Sequence, residues 1–180
     1  MANQLVLAFF DGEAAADEAV NQIKQWDKAS KDIKLGAIGI LVKDEKGKIK
    51  THKLGARKTG TGAVLFGLAA VLTGGATLLA GAVFGGILGS FFRKGLGISK
   101  EELARIDGDL SGGKAAVAVL AKPTEAAAVA AKLTELGGTT ETHEVSDEVV
   151  EQATAAAEEA PAVDVTPDAA ADAPSAPVAG

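Results

Sequence analysis

A chain of 180 residues can bury one real core, but with 47% apolar and only 4% aromatic residues that core must be built largely from alanine, glycine and aliphatic side chains. The absence of cysteine excludes disulfides, thiolate metal sites and a cysteine nucleophile. The net charge of −6 is unevenly placed, since residues 1–140 hold all 18 Lys and Arg against 14 acids whereas residues 141–180 hold ten acids and no base.

Taken in chain order, Gln4 to Phe10 is a short apolar run closed by Asp11-Gly12, which predicts a buried strand and a turn. No basic leader precedes it and acids follow at Asp11 and Glu13, so a signal peptide is not expected. From Glu13 the period becomes helical, with Ala16, Val20, Ile23 and Trp26 on one side, and Trp26 is expected in the core. Leu35 to Val42 predicts a second buried strand, Asp44-Glu45-Lys46-Gly47 a turn, and Lys48 to Leu54 a polar edge strand.

The segment Thr59 to Phe92 then runs for 34 residues without a charge and contains nine glycines. Each glycine costs a helix about 1 kcal/mol relative to alanine, so close packing must offset them. Thr73, Thr77, Gly81, Gly85 and Gly89 recur every fourth residue, a glycine-zipper stripe on one helix face suited to helix packing and oligomerisation. One straight helix of this length would be about 51 Å long, well beyond the roughly 30 Å of a bilayer's hydrocarbon core. A turn at Gly74-Gly75 gives instead a hairpin with arms of about 24 Å, either re-entrant or barely spanning. Ten of the 18 basic residues flank the segment, among them Lys53, Arg57, Lys58, Arg93 and Lys94, and they suit anionic headgroups on one membrane surface. With basic residues at both ends, the positive-inside rule places both flanks in the cytoplasm. Burial of the same hairpin between subunits of a soluble homo-oligomer is the other way to cover it.

Beyond it, Ser99 with Glu102 has capping-box spacing and predicts a helix to about Ile106, broken by Gly112-Gly113. Ala115 to Ala121 reads as a strand, Pro123 as the first turn of a helix ended by Gly137-Gly138, and Thr139 to Val145 as a threonine-rich strand. Ser146 can cap a short helix over 146–160, while the acidic Ala/Pro-rich residues 161–180 have little to bury and are expected to be disordered. The predicted fold is α+β: a ferredoxin-like sandwich of two βαβ units over 1–145, with the hydrophobic helical hairpin 59–92 inserted between them.

No constellation for chemistry emerges. Gly55 to Gly62 mixes glycine with Lys58-Thr59 but lacks phosphate-loop spacing, and Ser111-Gly-Gly-Lys114 reads as a loop into a strand. His52 and His143 lack ligand spacing and are expected to face solvent from strands. No G-x-S-x-G is present, Glu101-Glu102, Asp107 and Asp109 read as helix and loop charges, and the basic stretch Lys43 to Lys58 lacks interleaved aromatics for nucleic acid. No cofactor, metal or small-molecule substrate is expected.

The opening strand with Phe10-Asp-Gly12, the hairpin Val42-Lys-Asp-Glu-Lys-Gly-Lys48, the glycine-rich centre, Gly97-Ile98-Ser99 and Gly112-Gly-Lys-Ala-Ala116 together resemble the DUF1269 family of small bacterial membrane-associated proteins. The resemblance spans about residues 4 to 145 and implies the architecture and a membrane location, without implying an active site. The expected function is non-enzymatic: membrane association and self-association through the hairpin, with lipid as the partner.

Overall fold

The computed structural model describes residues 3–47, 49–56, 64, 68 and 94–151, with the backbone alone for 52–56. Its elements are β1 (Asn3–Phe10), α1 (Glu13–Ala29), β2 (Ala37–Lys43), β3 (Ile49–Ala56), α2 (Lys100–Ser111), β4 (Ala115–Ala121), α3 (Pro123–Glu135) and β5 (Thr139–Val145). The strands form one antiparallel sheet in the order β3-β2-β4-β1-β5. Because β4 is antiparallel to both neighbours, β1 and β2 run in the same direction with β4 between them.

The two central strands explain the layering. Leu5 to Phe10 and all of Ala115–Ala121 are buried, so β1 and β4 need cover on both faces of the sheet. On one face Val6, Ala8, Val117 and Val119 meet Val20 and Ile23 of α1 and Val129 and Leu133 of α3. On the other, Leu5, Leu7, Phe9, Leu41 and Leu120 meet Ile106 and Leu110 of α2, together with Val64, Leu68, Leu96, Ile98 and Val149. Trp26 is half-buried against the first layer.

Local chemistry sets the element ends. Gly12 has φ +113°, which side-chain-bearing residues rarely adopt, and lets the chain turn from β1 into α1. Asp44 accepts the Lys46 and Gly47 backbone N–H groups, one through its side chain and one through its carbonyl, and Gly47 takes φ +74°. Ser99 and Glu102 make both bonds of the capping box, and α2 continues past Ile106 to Ser111 because Ile106 and Leu110, one turn apart, both reach the core. Leu35 lies ahead of β2: its N–H is taken by the Asp27 carboxylate at 3.0 Å rather than by a ladder partner.

Pairing fixes which ends of the strands lie together. Asn3 is opposite Val145, Gln4 opposite Ala121, and Ala37 opposite Leu120 and Ala56. The starts of β1 and β2 and the ends of β3, β4 and β5 therefore share one end of the sheet, here termed the tether end. At the opposite end Phe10 is paired with Ala115 and the β2–β3 turn closes.

Candidate functional site

The chain leaves β3 at the tether end and is again at that end by Gly95, whose carbonyl accepts the Ser146 N–H at 2.8 Å just beyond β5. Val64 and Leu68, both helical and one turn apart, are wholly buried in the same core as Leu96 and Ile98, which are 0% and 4% exposed. Residues from both sides of the glycine-rich centre thus pack beneath one face of the sheet. Two glycines make this approach possible. A Cβ on Gly95 would stand 2.0 Å from Val149 Cγ2 and 2.9 Å from Ser146 Oγ. At Gly97, φ is +62° and a Cβ would lie 2.6 Å from the Glu144 carbonyl oxygen. The segment 94–98 is therefore clamped between the end of β5 and the helical residues that follow it.

α2 is fastened beside this clamp. Arg105 donates to Glu141 of β5, lies 3.5 Å from Asp109 and stacks over the Phe9 ring at 5.8 Å. His143 Nε2 is 3.1 Å from Glu141 Oε1. Burial pushes the Glu141 carboxyl up, but the His143 and Arg105 hydrogen bonds outweigh that and hold it below the ordinary carboxylate value. Glu102 is likewise held low, through the Ser99 backbone N–H and hydroxyl.

The expectation that His143 faces solvent is corrected: it is 7% exposed. Its register opposite Leu5 puts it with Glu141 and Val145 on the sheet face covered by α2. The alternation Glu141-x-His143-x-Val145 carried that signal. His52 pairs with Ile40 in β3, and its side chain lies outside the described residues.

At the far end Lys43 Nζ sits 2.8 Å from Asp107 Oδ1 and 2.7 Å from Ser111 Oγ. A lysine beside a serine invites a nucleophilic reading, but Lys43 Nζ is taken up by the Asp107 carboxylate. Ser111 spends its proton on the Asp107 carbonyl, and the N–H groups of Gly112, Gly113 and Lys114 are bonded to Gly108, Leu110 and Asp109 carbonyls. The arrangement places a cation at the carbonyl-rich end of α2, where it stabilises the helix. An open dent of about 290 Å³ lies there, lined by Lys43, Asp44, Glu45, Gly47, Leu110, Ser111 and Gly113. Among the described residues no group of three His, Cys, Asp or Glu side chains could hold a metal ion.

Of the residues singled out by sequence, Lys94 is exposed at the tether end, and Lys53 lies in β3 opposite the irregularity between Ile38 and Ile40. The zipper positions Thr73, Thr77, Gly81, Gly85 and Gly89, the turn Gly74-Gly75, and Arg57, Lys58 and Arg93 lie outside the described residues, as do residues 152–180. Sequence reasoning missed Val64 and Leu68, because a uniformly apolar run carries no periodic mark of which positions meet the sheet, and Gly95, because its close neighbours Ser146 and Val149 are distant in sequence. Among the described residues no helix is long and apolar enough to cross a membrane. Comparison of the chain with protein-family models, curated proteins and solved structures found no match.

Proposed function

We propose that this is a non-enzymatic, membrane-associated protein that holds a glycine-zipper hairpin against or within the bilayer and self-associates through it. The observation that carries the reading is the burial of Val64, Leu68, Leu96 and Ile98 in one core, with Gly95 at the same end of the sheet as the end of β3. An apolar excursion anchored in this way leaves and returns on one side, as a hairpin does and a single span does not. It also shortens the part free to meet lipid. Between Leu68 and Leu96 lie 27 residues, or two arms of about 20 Å, against a hydrocarbon core of about 30 Å. That supports a re-entrant hairpin over a spanning one.

The scaffold reading is a ferredoxin-like sandwich. Strands β5-β1-β4-β2 with α1 and α3 give its strand order and helical layer, β3 adds an edge strand, and α2 covers the second face. The DUF1269 resemblance points the same way and supplies no catalytic role.

Washing isolated membranes with carbonate or high salt tests the proposal. The chain should stay with the membrane, and release by either wash would overturn insertion. A second reading is a soluble assembly in which other subunits cover the zipper, and the burial of Val64 and Leu68 by protein favours it. A single defined oligomer sedimenting without detergent, together with absence from washed membranes, would establish that reading instead.

A further inference from the structure

The tether end is also where the lysines of the α1–α3 layer gather. Lys28 ends α1, Lys31 and Lys34 lie in the loop into β2, and Lys122 precedes α3; all four are exposed. Two buried or half-buried carboxylates fix this loop from within: Asp27 takes the Leu35 N–H, and Glu125, 6% exposed, takes the Lys34 N–H at 3.3 Å. Lys122 Nζ stands 3.7 Å from the same Glu125 oxygen. The backbone of the loop is thus held while its ammonium groups point to solvent. This side of the end also carries exposed acids, Asp32 in the loop and Glu144, which pairs with Gln4 and so lies on the α1–α3 face, but the four lysines outnumber them. Across the sheet, on the α2 side of the same end, the exposed charges include the acids Glu101, Asp147, Glu148 and Glu151 beside Lys94 and Lys100.

We propose that the tether end is the lipid-facing surface of the domain, tilted so that Lys28, Lys31, Lys34 and Lys122 rest on anionic headgroups while the α2 side, with the acids that follow β5, is held away. The inference rests on the membrane reading above and adds an orientation to it. Three observations converge on it: the apolar run departs and returns at this end, the lysines of an otherwise unrelated layer lie at the same end, and the two sides of the end differ in charge. A basic group near an anionic surface gains attraction that fades within a Debye length, so the tilt depends on salt.

The cysteine-free chain makes the test direct. Full-length single-cysteine variants at exposed positions are made at the proposed contact (K31C and K122C), on the acidic side (E148C), and at the far end (K46C and E135C). Each is reacted with a membrane-impermeant maleimide, with and without vesicles of mixed phosphatidylglycerol and phosphatidylcholine. Labelling at 31 and 122 should slow several-fold with vesicles, labelling at 148 should slow less, and labelling at 46 and 135 should not change. Replacing lysines 28, 31, 34 and 122 by glutamine should weaken vesicle binding by about fivefold per charge at low salt. Equal protection at both ends, or stronger protection at 46 and 135, in a chain that still floats with vesicles would overturn the orientation and leave the membrane reading standing. A chain that does not float with vesicles at all would remove the membrane reading itself, and the orientation with it.

Discussion

Gly95 offers the sharpest test of how the structure is held. Replacing it with alanine puts a methyl group 2.0 Å from Val149 Cγ2 and 3.2 Å from Val149 Cβ, inside any tolerable contact, so the helical residues after β5 must move. Val149 is fully buried. Overpacking of this kind costs about 1–3 kcal/mol, and partial loss of a buried valine falls in a similar range, about 1.5–3 kcal/mol for complete exposure. A loss of about 2 kcal/mol is expected for Gly95→Ala, or roughly 4–8 °C in Tm for a domain of this size. Urea unfolding followed through Trp26, the chain's one tryptophan and a member of the opposite layer, measures it as a global event. Val149→Ala removes Cγ2, the nearest obstructing atom, and leaves a cavity, so it too should destabilise. In the double variant the new methyl occupies part of that cavity, and the combined loss should be smaller than the sum by about 1 kcal/mol or more. Strict additivity, or a single-variant loss below about 0.5 kcal/mol, would show that the clamp is not packed as described.

Leu68→Asp and Leu96→Asp should each cost about 3 kcal/mol or more, by losing buried apolar contacts and placing a charge in the core. Their unfolding midpoints in the absence of lipid would refute the shared core if unchanged. Ser99→Ala should cost about 1 kcal/mol through loss of the capping box at α2, readable in the same assay. Glu141→Gln should cost about 1 kcal/mol near neutrality, since its carboxylate is held by Arg105 and His143 on the sheet face under α2. Because its folded pKa is depressed, that contribution is fully present above the ordinary value of 4.5 and is lost as pH falls through the lower folded value. The gap between wild type and variant should therefore close below that window, and a gap that instead widened with acidity would contradict the ion-pair assignment.

Most element boundaries were legible because each had a local cause: Pro123 opening α3, the capping box opening α2, Gly112 ending it, and short apolar runs bounded by turn residues in the strands. The extension of α2 to Ser111 was not, because Gly108 interrupts its propensity and only the sheet rewards Leu110. His143 was misjudged for a related reason. Its polarity argues for solvent, while register opposite Leu5 and a carboxylate partner two residues away accommodate it in the buried layer.

By itself the sequence determined where charge is absent, where glycine recurs and which segments are helical or extended, because these depend on composition and short-range periodicity. Only the tertiary structure decided that Val64 and Leu68 belong to the same core as Leu96 and Ile98, and that the lysines of the α1–α3 layer lie at the end where the apolar run departs. Strand order sets both facts. A run apolar on every side is compatible with lipid or protein cover, and strand pairing between residues distant in sequence determines which of its positions the sheet claims.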